Sequence, residues 1–390
     1  MGMKLRRVGY VAALVALAAC APSAGTASQS ATAIPPAATS SQPASSPPSS
    51  ATATASPTAA PTGPQPSAVR FADATHGWLG LEDGILGTMD GGASWDRQLT
   101  AGRVTKIWSY DATRAWALAA DNTVYRTRDG AHWTAIPPTT PPISQIDAFS
   151  PDIVWAIGIA PTSGPAPQPQ TGNVLASTDG GFIWRPVGTH TMWSVCFDSP
   201  LNGFGAEGNQ IFRTADAGRS WSRVGTLTIN DQGPWYPTLT CPSATSFRVQ
   251  VTEPYAALSH VPYLVFRTTD AGRNWILEYR EGYTLGTTTP ITAGLGSYPS
   301  IIGPLPNGDT WIMTCSPPAQ VQDFLIIDPA GGVVAQQKAP FIACARDATF
   351  VDGMHGWAIA TDYSNIAKGA SQGILMRTTD GSRTWSRVYP

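Results

Sequence analysis

The hydrophobic residues of this chain fall in short runs broken by tight polar turns. The first unit shows the pattern: a run ending near Phe71, then Gly77–Gly80, then Ile85–Thr88, with Asp, Gly, Ser and Thr between them. Short runs bounded by turn residues predict β-strands. No stretch after the N-terminus keeps a helical period. The unit also recurs, as strand A, a short turn, strand B, a loop, strand C, a second tight turn and strand D. Four short strands repeated radially make a propeller blade. Seven such units predict an all-β fold, a single seven-bladed β-propeller over 68–390.

The second turn carries the sharpest repeat, an octet running from Thr or Ser through Asp and Gly to Trp. It occurs at Thr88–Trp95, Ser177–Trp184, Thr214–Trp221, Thr268–Trp275 and Thr378–Trp385, and one residue shorter at Thr127–Trp133. The seventh position, Asp328–Gly332, keeps the turn residues and lacks the tryptophan. The chemistry is that of a hairpin: Asp accepts hydrogen bonds from nearby N–H groups, and Gly takes the positive φ that a tight turn needs. The Trp is expected to fold back and bury area against the blade edge. Asp90, Asp129, Asp179, Asp216, Asp270 and Asp380 are therefore expected to hold turns and carry out no reaction. A weaker motif precedes each octet, clearest in Phe71–Trp78 and Phe350–Trp357 and most degraded around Phe247 and Trp311.

The N-terminus follows different rules. Lys4, Arg6 and Arg7 precede an apolar stretch, Val8–Ala19, too short to span a bilayer, and Cys20 follows directly. This resembles the lipobox of bacterial lipoproteins. The resemblance implies removal of 1–19 and a lipid on Cys20, anchoring the protein to a membrane outside the cytoplasm. Residues 21–67 hold no charge and one large apolar side chain, Ile34. Such a segment cannot offset its ordering entropy, so 20–67 reads as a disordered tether, its ends roughly 40 Å apart.

Net charge is −2 with 13% charged residues, which gives no preference for nucleic acid. Cys196, Cys241, Cys315 and Cys344 are an even number in an oxidising compartment, permitting two disulfides in three possible pairings. The pairing nearest in blade order is 196–241 with 315–344. No C-x-x-C pair or histidine cluster accompanies them, so no metal or other cofactor is expected.

The octet resembles the Asp-box, or BNR repeat, of sialidase-like propellers. Together with Phe-x-Asp-x-x-His-Gly-Trp it is most similar in texture to the photosystem II stability and assembly factor-like group. That resemblance covers about 68–390 and implies action by binding a partner protein. Sialidases require three convergent arginines, one in an Arg-Ile-Pro segment, which is absent here. The repeat accounts for most arginines and leaves Arg70, Arg103, Arg114, Arg248, Arg280 and Arg346. A two-carboxylate hydrolase needs its acid and base roughly 5 to 10 Å apart. Asp231, Glu253, Glu281 and Asp362 could converge from loops. The xyloglucan-cleaving relatives use a cleft between two propellers, and this chain predicts one.

In a propeller the A–B and C–D turns share one face, and the B–C and D–A loops share the other. Here the insertions fall only in the second class, at 161–172, 253–263 and 362–373 and at 137–142, 228–237 and 280–300. Loops on a rigid scaffold are where binding groups reside. Trp235, Tyr236, Tyr255, Tyr263, Tyr283, Tyr298 and Tyr363 are the candidate ligand-binding rings there. The expectation is a monomeric, non-catalytic scaffold for a protein or glycan on that face. The alternative is a glycoside hydrolase using loop carboxylates.

Overall fold

A computed structural model describes residues 63–390 apart from 138–141, 160–170, 230–234, 253–262, 281–297, 316–321, 340–344, 363–371 and 390. The 28 strands, β1–β28 in chain order, form seven antiparallel four-stranded sheets, each a meander of consecutive strands. Blades 1 to 7 span residues 66–100, 104–135, 143–192, 194–226, 236–280, 298–339 and 347–389. The first strands are β1 (Pro66–Phe71), β5 (Val104–Ser109), β9 (Ile143–Ala148), β13 (Ser194–Phe197), β17 (Tyr236–Thr240), β21 (Tyr298–Pro304) and β25 (Asp347–Phe350). Each lies beside the first strand of the next blade, and β25 returns to β1. This is the seven-bladed propeller that the repeat predicts.

The octet performs its turn chemistry as expected. In blade 1 the Thr88 hydroxyl donates to Asp90 Oδ1 at 2.8 Å and accepts from Gly92 N at 2.9 Å. Asp90 also accepts from Ser94, through its N–H at 2.9 Å and its hydroxyl at 2.6 Å. Gly91 and Gly92 adopt φ of 74° and 95°. The Ser220 hydroxyl, then its N–H, holds Asp216 down at about 2, and Asn274 and Thr384 do the same for Asp270 and Asp380.

The aromatic residues of both motifs meet between blades. The strand B indole N–H of one blade donates to a carbonyl in the octet of the next. Trp78 reaches Gly130 O at 3.0 Å, Trp116 reaches Gly180 O at 2.9 Å, Trp155 reaches Ala217 O at 3.2 Å and Trp357 reaches Gly91 O at 3.0 Å. The Phe ending strand A then stacks on that indole from the next blade, Phe71 on Trp357 at 3.5 Å and Phe197 on Trp155 at 3.7 Å. The octet Trp stands edge-on to the same Phe, as Trp95 does to Phe71 and Trp221 to Phe197.

Where the indole is missing, other chemistry takes its place. Blade 5 has Arg248 in the register of the strand B Trp, opposite Arg267. Its guanidinium donates to Asp328 O and Thr310 Oγ1 of blade 6 at 2.8 Å each and pairs with buried Glu278 at 2.8 Å. Blade 4 has Phe204, which packs on Phe247 of blade 5, and a Cys196–Cys241 disulfide joins the inner strands of these two blades, with Cα atoms 6.3 Å apart. The 315–344 pairing lies outside the described residues, since Cys344 and the side chain of Cys315 fall there.

The ring closes without a shared strand. Val69, Phe71, Leu79, Leu81, Leu86, Trp357, Ile359 and Leu375 form one buried cluster across blades 1 and 7. Gly373 N donates to Gln65 Oε1 at 2.6 Å, and the Tyr389 hydroxyl donates to Pro64 O at 3.3 Å. The propeller therefore engages the chain a few residues before 68, and β1 begins at Pro66. Most of the predicted tether, together with Cys20, lies outside the described residues.

Two expectations follow for stability. Gly203 has no room for a side chain, because an added Cβ would lie 2.6 Å from the Phe197 ring. Gly203→Ala should displace that ring from Trp155 and cost about 1–3 kcal/mol, read as a lowered denaturation midpoint. Cys196→Ser opens a link between residues 45 apart in sequence. It should cost about 2–4 kcal/mol, and a reducing agent should destabilise the parent protein more than the variant.

Candidate functional site: the central channel

The insertions that mark the elaborated face all contain residues outside the described set, so the structure's view of that face is the channel it opens onto. First strands of all seven blades line a cavity of about 770 Å³. A first strand has a neighbour on one side only, so its inner N–H and C=O groups would be left unpaired. Side chains from the preceding blade satisfy them. Ser67 donates to Val104 O at 2.6 Å, and Lys106 donates to Ser144 O at 3.1 Å. Gln145 brackets Val195, accepting from its N–H and donating to its carbonyl. Asp147 accepts from Phe197 N at 2.7 Å, Ser194 accepts from Leu239 N at 3.1 Å, and Asp347 accepts from Val69 N at 2.8 Å.

The channel therefore holds charged groups in a shaft walled by protein. Burial pushes Asp147 up to about 7 against the hydrogen bond from Phe197. It pushes Asp347 up to about 6 against the N–H groups of Val69 and Ala348 and the cations Arg70 and Lys106. Burial lowers Arg70 and Lys106, and Asp347 opposes this in both. Lys106 is nonetheless exposed by surface area, because it faces the open lumen, whose walls leave it less fully solvated than a surface lysine. Arg70 also donates to Ser109 Oγ at 3.0 Å.

The candidate rings divide. Tyr263 is fully buried in the core shared by blades 5 and 6, and Trp235 is buried in the core shared by blades 4 and 5. Both pin the scaffold and present no binding surface, because packing has taken the area a ligand would use. Tyr236 is half-buried where the D–A connection enters blade 5, tilted against Trp193 at 4.5 Å. Tyr255, Tyr283, Tyr363 and the side chain of Tyr298 lie outside the described residues, as do Asp231, Glu253, Glu281 and the side chain of Asp362. The leftover arginines do not form a described triad. Arg248 is spent between blades and Arg114 pairs with Asp111 on the turn face. Arg70 and exposed Arg346 line the channel, exposed Arg103 stands outside its lining, and the Arg280 side chain is not described.

Sequence reasoning passed over Trp193, Lys106, Gln145, Asp147 and Asp347. The last four were visible as polar residues within first strands. Trp193 follows an unexpanded connection and carried no such mark.

The fold and channel define a seven-bladed β-propeller. No family model matches the chain, and no curated protein does. Among solved structures it is similar to YCF48 bound to a D1 peptide, at 17% identity over 82% of this chain and 94% of that one, with a TM-score of 0.51. It is also similar to an ancestral GH74 enzyme, at 14% identity over 84% of this chain and 55% of that one, with a TM-score of 0.53. This chain thus spans about half the length of that enzyme. At these identities the likeness is one of fold.

The raised Asp147 carboxyl sets a pH dependence. Its contribution to stability is fully present below the unfolded value near 4 and is lost as pH rises through about 7. Asn keeps an acceptor for Phe197 N and carries no charge. Asp147→Asn should therefore stabilise the protein at pH about 8 by about 1–2 kcal/mol, after allowing for lumen water, and change little at pH about 4. Denaturant titrations at both pH values check this, and an equal difference at both would refute it.

Proposed function

We propose that the protein is an exported scaffold, lipid-anchored through Cys20, that binds a protein or glycan at the D–A side of its central channel without catalysis. The observation that carries this reading is the commitment of the channel carboxylates. Asp147 and Asp347 are the groups an acid–base reading would select, and each holds a backbone N–H of the neighbouring blade. A carboxylate spent in that way is poorly placed to trade protons with a substrate. The mouth keeps groups suited to recognition, with exposed Lys106, Thr238 and Arg346 on blades 2, 5 and 7 and the Trp193–Tyr236 pair at blades 4 and 5. The similarity to YCF48, a propeller solved with a bound peptide, supports binding as its mode of action. The lipobox-like Cys20 supports a place outside the cytoplasm, and a single closed ring supports a monomer.

A second reading is kept by one observation, the Asp147 carboxyl raised to about 7, which suits a general acid. On that reading the protein is a glycoside hydrolase, as the similarity to the GH74 enzyme would suggest.

Two measurements separate the readings. The full-length protein and its Trp193→Ala/Tyr236→Ala variant are used as bait against envelope extracts and a glycan array. Ligands retained by the parent and lost by the variant support the scaffold, and identical profiles would count against this mouth. Turnover on a glycan panel that disappears in Asp147→Asn would establish the hydrolase instead.

A further inference from the structure

The seven first strands hold equivalent places in the ring but send different chemistry into the channel. Blades 1, 2, 3 and 7 supply Arg70, Lys106, Asp147, Arg346 and Asp347, the charged groups of the lining among the described residues. The first strands of blades 4, 5 and 6, Ser194–Phe197, Tyr236–Thr240 and Tyr298–Pro304, contain no charged residue. From these blades Phe197, Pro242 and Ile301 stand half-buried in the lining, and Pro304 and the Thr238 hydroxyl arm stand exposed. One side of the channel is therefore charged and the side facing it is largely apolar.

The charged side has donors to spare. Arg70 donates through Nε to Ser109 Oγ at 3.0 Å, and its two Nη atoms have no hydrogen-bond partner among the described residues. Lys106 gives one N–H to Ser144 O at 3.1 Å and keeps two. The exposed Arg346 guanidinium has no partner among the described residues either. Asp347 lies near enough to feel both Arg70 and Lys106, but its oxygens are taken by the N–H groups of Val69 and Ala348. Asp147 is tied to Phe197 N, and burial pushes it up to about 7, so at neutral pH it carries only part of a charge. Three cations thus outweigh the carboxylates in a shaft whose walls limit their solvation, and an anion there is attracted strongly. Water can serve the free donors, but it gains nothing from the apolar side opposite.

We propose that the channel binds a small amphipathic anion, a carboxylate on an apolar body. The carboxylate sits between Arg70 and Lys106, and the body lies against Phe197, Ile301 and Pro304. The paired Nη groups of a guanidinium match the two oxygens of a carboxylate. The cavity of about 770 Å³ falls in the range of ~300–1,000 Å³ that encloses a whole small molecule. A cationic ligand is repelled by the same three side chains, and a small hydrophilic anion leaves the apolar side unused. A ligand of this kind touches blades on both sides of the axis, so its binding also stabilises the closed ring. The site lies inward of the mouth and needs no partner there, so it goes beyond the scaffold reading.

The test titrates octanoate, octanol, octylammonium and acetate into the full-length protein, followed by calorimetry and by melting temperature. Octanoate should bind saturably and raise the melting temperature. Octanol has only the body and acetate only the carboxylate, so each should bind about tenfold or more weakly, and octylammonium should not bind. Arg70→Gln should weaken octanoate about tenfold and leave octanol unchanged. Thr238→Asp places a charge at an exposed position on the apolar side, so it should weaken octanoate while the melting temperature without ligand holds. Trp193→Ala/Tyr236→Ala should bind octanoate as the parent does, whether or not the mouth takes a partner. No saturable octanoate binding, equal binding by the parent and both single variants, equal binding of octanoate and octylammonium, acetate binding as tightly as octanoate, or loss of octanoate in the mouth variant would overturn the proposal.

Discussion

The structure depends on one hydrogen bond made at four of the seven blade junctions, from the indole N–H of a strand B tryptophan to an octet carbonyl in the next blade. A four-stranded blade is a thin sheet with two apolar faces and cannot stand alone. Its faces must be covered by neighbours, and the angle between neighbours must let seven sheets close. The indole fixes that angle by anchoring one blade to a turn of the next while its ring supports the Phe that ends strand A. The octet makes the anchor possible, since its saturated carboxylate holds a carbonyl in place for the indole to find. Turn chemistry and ring closure are therefore one device, which is why the two motifs travel together along the chain.

The deviations show the same constraint. Blade 4 lacks the indole, and a disulfide ties its inner strand to blade 5. Blade 5 replaces it with a guanidinium that still reaches an octet carbonyl. A buried guanidinium demands a counter-charge, and Glu278 supplies it. Blades 4 and 5, which lack the strand B tryptophan, are the ones where different chemistry fills the same role.

Much of this was legible beforehand. Strand order, blade number and the turn role of Asp90 and its equivalents follow from local rules, and local rules can be read from spacing. Cys196 with Cys241 was the pairing nearest in blade order among three left open. What could not be read was which groups face each other across the axis. Asp147 and Asp347 lie 200 residues apart in sequence, and each looks like an isolated acid until the ring brings another blade's N–H against it. Tyr263 and Trp235 failed as surface rings for the converse reason. An aromatic residue beside an inserted loop reads as exposed, and only the packing of blade 5 against blades 4 and 6 shows them covered.

The absence of a shared strand at the closure has a topological consequence. Pro64 and Tyr389 are within hydrogen-bonding distance, and blade 7 meets blade 1 through the same indole, Phe and carbonyl parts that join blades 3 and 4. The polypeptide thus has no privileged starting blade. Joining its ends with a few flexible residues and cutting it between two other blades would give a circularly permuted chain whose seven junctions all survive.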